Sequence, residues 1–133
     1  MTILTYYSVP LPNKCGEAAK VLNAVKEAGL NLVAVWGYPI KGKKAILDVA
    51  AEDPKAFAKL AKKQGWDLSS KKQAFHLDGE DQPGAVAAVM GKLAGARINC
   101  HAAQAVCAGA GRFGLLIQVD SDDFKKAKKA LSK

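Results

Sequence analysis

The chain carries one unit twice, and an internal repeat constrains architecture more than any single residue does. Asn13-Lys14-Cys15-Gly16, ahead of one predicted helix, returns 68 positions later as Asp81-Gln82-Pro83-Gly84, ahead of another; the offset is the difference between Gly16 and Gly84. The helical stripe Ala18, Val21, Leu22, Val25 reappears as Val86, Val89, Met90, Leu93. Ala28, Leu30 and Asn31 return as Ala96, Ile98 and Asn99. This register runs without a gap from a strand, through a turn and a helix, into the next strand. Two similar units also create a seam, where small ligands tend to bind.

The repeat divides the 133 residues into units 1–72 and 73–133. At roughly 65 residues a single core is only marginally stable, so the halves are expected to share a continuous core or sheet. In the first unit, Ile3 to Val9 is β-branched and aromatic and reads as a strand that Pro10 and Pro12 end. Lys14 to Ala28 has the period of a half-buried helix, with Gly29 as its C-cap. Leu30 to Trp36 and Lys44 to Ala50 read as strands, and Asp53-Pro54 opens a second helix that stops at Gly65. Trp66 to Ser70 is expected as a short fourth strand.

The second unit repeats the order with a strand at Ala74 to Leu77, a helix at Gly84 to Ala94, strands at Arg97 to Val106 and Phe113 to Val119, and a last helix capped by Ser121. Between its second and third strands the offset is expected to grow to 70, pairing Ile46 with Leu116 and Val49 with Val119. No counterpart of Trp66 to Ser70 follows, so the second unit is expected to lack its last strand and leave a sheet edge open or covered by another strand. The fold class is α+β: tandem ferredoxin-like β-α-β-β-α-β sandwiches, with antiparallel sheets and the helices on one face.

Phe75 to Val119 resembles an ACT domain, the small amino-acid-sensing module found on many metabolic enzymes. Asp81-x-Pro83-Gly84-Ala85, Leu93-Ala94, Ile98-Asn99, Gly111-Arg112-Phe113 and Val119-Asp120 carry that resemblance. The first unit matches less closely, with Asn13 for the Asp and Cys15 for the Pro, while Gly16 and Leu30-Asn31 remain. The whole is similar to free-standing tandem ACT proteins with no catalytic domain. That resemblance implies non-catalytic binding of a free amino acid at unit or subunit seams, a homodimer, and a regulated partner protein. The candidate ligand-binding residues are Asn13, Cys15, Gly16, Glu17, Asp81, Gln82, Pro83, Gly84, Ala85 and Asn99.

The turn has its own physical logic. Glycine at a helix start lets a ligand approach backbone N–H groups that lack intrahelical acceptors. Those donors and the helix dipole suit a carboxylate, and Asp81 or Asn13 beside them can accept from an ammonium group. The competing reading makes Asp81 and Asn13 plain helix caps, each contributing about 1 kcal/mol.

Other chemistries find less support. Cys100 and His101 are adjacent on a strand and face opposite sides, which argues against a shared metal with Cys107. His76 fares no better as a ligand. Cys15 near a helix start is the one thiol placed for a lowered pKa, though it also simply fills proline's place. No nucleophile–base pair, acidic cluster or phosphate loop emerges, so neither an enzyme nor a cofactor is expected. The net charge of +8 is concentrated in the first unit, with 12 lysines against 6 acids, and much of it lies on the second helices as Lys55, Lys59, Lys62, Lys63 and Lys125, Lys126, Lys128, Lys129. Solvated helix faces look like this. The RNA-recognition motif shares the topology, but Leu115, Leu116 and Ile117 follow where its stacking aromatics belong, so nucleic acid is not expected. Three cysteines without C-x-x-C, no apolar span and no basic leader point to a cytoplasmic protein. The leading reading is an amino-acid sensor. The alternative is a protein–protein interaction module with vestigial ligand turns.

Overall fold

The computed structural model describes residues 1–133. Six strands and four α-helices run in the order β1 (Thr2–Pro12), α1 (Glu17–Glu27), β2 (Leu32–Ile40), β3 (Lys44–Ala51), α2 (Pro54–Gln64), β4 (Lys72–Glu80), α3 (Ala85–Gly95), β5 (Cys100–Cys107), β6 (Arg112–Val119) and α4 (Phe124–Leu131). The chain divides into two compact units, Thr5–Lys72 and Met1–Leu4 with Gln73–Lys133. No helix is long and apolar enough to cross a membrane.

In the N-terminal unit β3 is central, with β1 and β2 antiparallel on either side. Alternation along β3 sends Leu47, Val49 and Ala51 to one face, where they pack with Val21 and Val25 of α1 and Phe57 of α2. In the C-terminal unit Phe75 of β4 and Leu115 and Ile117 of β6 pack with Leu93 of α3 and Ala127 and Leu131 of α4. Each unit thus has its own core, with both helices on one face of an antiparallel sheet. This is the ferredoxin-like α+β arrangement expected of the sequence.

The repeat is tighter than the sequence suggests. Tyr7 faces Val49 and Val35 faces Val49; 68 residues on, Phe75 and Ala103 both face Ile117. The irregularity between Leu32 and Ala34 recurs between Cys100 and Ala102. The expected growth of the offset to 70 is therefore corrected. Val49 corresponds to Ile117 and Ile46 to Gly114, because the helix-facing residues Leu47 and Val49 must map onto Leu115 and Ile117. An odd shift would turn the apolar set to the other face, while an even slip of two keeps polarity intact, so the sequence pattern alone does not exclude it.

Several expected boundaries also move. β1 runs through both prolines, with Pro10 opposite Ile46 and Pro12 opposite Lys44. Prolines two residues apart turn their donorless nitrogens the same way, which a strand tolerates where that side is free. Trp66–Ser70 forms no strand. The segment does lie along β1, but Ser69 makes one backbone bond to Ser8 O (3.0 Å) and its Oγ, not a carbonyl, accepts the Ser8 N–H (2.8 Å). In the C-terminal unit the Thr2–Leu4 end of β1 lies beside β4, giving the order β1-β4-β6-β5, and Ile3 packs on the core. The edge left by the missing last strand is thereby covered from the N-terminus. Arg97 lies outside β5, and Ser121 opens a 3₁₀ turn (Ser121–Asp123), not the helix it was expected to cap. Asp53 does cap α2, its carboxylate accepting from Ala56 N at 3.0 Å ahead of Pro54.

Left-handed backbone marks the turns of both units. Gly16 (φ +87°) and Gly84 (φ +84°) occupy the N-cap positions of α1 and α3. Gly29 and Gly42 are likewise left-handed, and their counterparts 68 residues later, Arg97 and Ala110, hold φ of 55° without being glycine.

One polar cluster interrupts the apolar pattern. Asp48 of β3 is only 2% exposed, on the face away from the helices. The Ser8 hydroxyl donates to one carboxylate oxygen, and Tyr38 OH donates to the other at 3.1 Å. Lys72 Nζ donates to Ser8 Oγ at 2.9 Å and lies 5.9 Å above the Tyr6 ring. Burial, and then the Asp48 carboxylate, push the Tyr38 phenol up to about 12.

Two expectations follow. A raised pKa means the Tyr38 contribution to stability is present below the ordinary tyrosine value near 10 and is lost as pH rises through about 12. Absorbance titration at 295 nm should therefore show a phase near 12 that Tyr38→Phe removes; a Tyr38→Phe curve identical to wild type would contradict it. Second, Gly84→Ala should cost about 1–2 kcal/mol in urea unfolding, because an alanine at left-handed φ crowds its own carbonyl. Gly91→Ala, in the interior of α3 with open space around the new Cβ, should instead stabilise by about 0.5–1 kcal/mol. Equal effects of one sign would contradict the turn assignment.

Candidate functional site

Each strand-to-helix turn borders a cleft. In the N-terminal unit a cavity of about 270 Å³ lies between Asn13, Lys14, Glu17 and Ala18 at the start of α1 and Gly37, Tyr38 and Pro39 near the end of β2. In the C-terminal unit one of about 290 Å³ lies between Asp81, Gln82, Gly84, Ala85, Val86 and Ala87 and Ala105, Val106 and Cys107 at the end of β5. The offset of 68 maps Gly37, Tyr38 and Pro39 onto Ala105, Val106 and Cys107, so the two clefts are the same feature built twice. The hairpin ends were not singled out in the sequence. Their signal is the same offset as the turns, carried across the β2–β3 and β5–β6 hairpins.

The turn backbone is fixed identically in both units. Asn13 N–H donates to Lys43 O at 2.9 Å, and Asp81 N–H donates to Gly111 O at 2.8 Å. Glu17 N–H closes on Lys14 O and Ala85 N–H on Gln82 O. No side chain caps either helix. The reading of Asn13 and Asp81 as helix caps therefore does not hold, since the intervening left-handed glycine itself occupies the N-cap position. The N–H groups of Ala18 and Ala19, and of Val86 and Ala87, are second and third in their helices and have no intrahelical acceptor. Donors and the positive end of a helix dipole thus adjoin the Asn13 or Asp81 side chain.

The structure brings Asn13 and Glu17 together in one cleft and Asp81, Gln82, Gly84 and Ala85 in the other. Cys15, Gly16 and Pro83 belong to the turns without lining the clefts. Gly16 and Gly84 serve the left-handed turn, since a Cβ at either would meet nothing within 4 Å. The left-handed φ is thus by itself a reason for glycine at both positions, alongside the open approach expected of the sequence. Asn99 sits just before β5, whereas the cleft lies at that strand's far end, roughly 20 Å along it. Its counterpart Asn31 bonds Glu52 Oε1 at 2.7 Å, a tie between β2 and β3.

Glu17 pairs with Lys20 at 3.1 Å on the exposed face of α1. The Asp81 carboxylate holds the thiol of the exposed Cys107 above its ordinary range. All three cysteines are free, and no group of three His, Cys, Asp or Glu side chains converges. Arg112 pairs with Asp78 at the surface and holds that carboxyl below its usual range.

The fold recurs among solved structures at low sequence identity. A Bacteroides thetaiotaomicron protein matches over 98% of this chain and 87% of its own, with TM-score 0.86 and 19% identity. The regulatory subunit of aspartate kinase from Thermus thermophilus, in its ligand-free form, matches over 98% and 90% with TM-score 0.63 and 14% identity. A structure of aspartokinase alpha and beta subunits matches over 98% and 95% with TM-score 0.61 and 17% identity. No protein-family model matches the chain, and no curated protein does. At these identities the likeness is one of fold.

Proposed function

We propose that this chain is a tandem ACT protein that binds a free amino acid without catalysis and passes its occupancy to a regulated partner. The observation that carries the reading is the doubled cleft, with uncapped helix N–H donors beside Asn13 in one unit and Asp81 in the other. A zwitterion presents a carboxylate and an ammonium a few ångströms apart. The helix donors take the first and the Asn13 or Asp81 oxygen takes the second. The fold shared with the regulatory subunit of aspartate kinase supports the regulatory half of the reading. In this reading the protein is a cytoplasmic homodimer, with no role for nucleic acid.

One observation favours the interaction-module alternative. The N-terminal turn has Asn13 and Cys15 where the C-terminal turn has Asp81 and Pro83, so one of the two sites lacks the acid. A thermal-shift screen against the twenty amino acids, each near 10 mM, separates the readings. A ligand at about a hundredfold over its Kd adds about 2.7 kcal/mol and moves the melting point by several degrees. One or a few selective hits are expected. Twenty flat curves would contradict the sensor and leave the interaction module.

A further inference from the structure

The two clefts share a backbone but not a chemistry. The N-terminal one is bordered by an amide, an ammonium and a carboxylate, those of Asn13, Lys14 and Glu17; at the same positions the C-terminal one has Asp81, Gln82 and Ala85. Opposite the turn, Ala105 and Cys107 pair with Leu115 and Phe113 of β6, whose side chains belong to the helix-side core, so both point towards α3. Phe113 is 9% exposed, and its ring covers Gly79, where a Cβ would lie 3.0 Å from Cε1. That seat fixes the aromatic wall. Ala85, Val86, Ala105 and Phe113 thus form a surface with no charge and no hydroxyl. At its edge stands Asp81, its backbone pinned by Gly111.

We infer that the C-terminal cleft is selective for an amino acid with a small aliphatic side chain, which packs against Ala85, Ala105 and Phe113 while Asp81 holds the ammonium. The inference rests on the amino-acid-binding reading above and gives that reading a ligand class at one of its sites. Against that wall a charged or hydroxylated side chain loses water and gains no hydrogen bond from Ala85, Val86, Ala105 or Phe113, a cost that an aliphatic one avoids; the polar lining, Asp81, Gln82 and Cys107, lies at the turn and at the strand end. The cavity of about 290 Å³ lies at the lower end of the range for ligand pockets, roughly 300–1,000 Å³, which favours the smaller aliphatic side chains. The N-terminal cleft has Glu17 where Ala85 stands, so it does not share this preference.

Isothermal titration of the full chain with L-valine, L-serine, L-aspartate and L-lysine tests the assignment, alongside Ala105→Leu, which fills the cleft from an exposed strand position. Ala85→Glu is the second variant. It places the N-terminal unit's residue at the first position of α3, where a carboxylate favours the helix. Melting curves verify that both variants fold. The expected result is one valine bound per chain, the other three at least tenfold weaker, and valine binding reduced at least tenfold in either folded variant. Serine, aspartate or lysine binding as tightly as valine would overturn the ligand class while leaving the amino-acid-binding reading intact. Valine binding unchanged in a folded variant would overturn the placement. No binding of any of the four would overturn the inference, and the twenty-member thermal screen then decides whether the broader reading falls with it.

Discussion

A left-handed residue between strand and helix is the constraint on which the rest of each unit depends. At Gly16 and Gly84 the backbone takes φ near +85° and so enters the helix at an angle that an L side chain resists. The turn before it is closed by Asn13 or Asp81 on the following hairpin. Because glycine stands at the N-cap, neither helix receives a side-chain cap. The first N–H groups of α1 and α3 therefore remain available, and the hairpin that pins the turn also supplies the opposite wall of the cleft. Turn, uncapped helix and cleft are consequences of one backbone choice made twice.

The two units have diverged around that shared backbone. The N-terminal unit places a carboxylate, Asp48, within its sheet and surrounds it with Ser8, Tyr38 and, through Ser8, Lys72. The position 68 residues later is Leu116. A buried carboxylate is tolerable only while its hydrogen bonds are satisfied, which ties the conformation of β1, β2 and β3 together at that point. The C-terminal unit instead has the non-glycine residues Arg97 and Ala110 at left-handed φ and a cleft with an apolar wall. Conserved geometry with altered lining is what different ligand preferences at the two sites would require.

Much of this was legible in the sequence. The repeat, the helix-facing stripes of α1 and α3, and Asp53 with Pro54 at the start of α2 are local patterns, and local patterns are what a sequence displays most directly. What escaped depended on partners distant along the chain. The continuation of β1 through Pro10 and Pro12 needs β3 alongside. The failure of Trp66–Ser70 to become a strand reflects a serine side chain taking a backbone donor. The slip of two in the repeat was invisible because an even shift preserves alternation. The candidate site divided in the same way: Asp81, Gln82, Gly84 and Ala85 were found from the turn motif, whereas Ala105, Cys107 and Phe113 come to it only through strand pairing. Asn99, carried in by its place in the repeat, lies at the opposite end of β5 from the cleft.

The most direct test of the central claim is an ¹⁵N–¹H correlation spectrum recorded with and without an equimolar mixture of the twenty amino acids. Binding at the strand-to-helix turns predicts that the largest shifts fall on the amides of Ala18 and Ala19 or of Val86 and Ala87, with Asn13 or Asp81 beside them. Shifts concentrated instead on the lysine-rich helices α2 and α4 would contradict it, as would a spectrum that does not change.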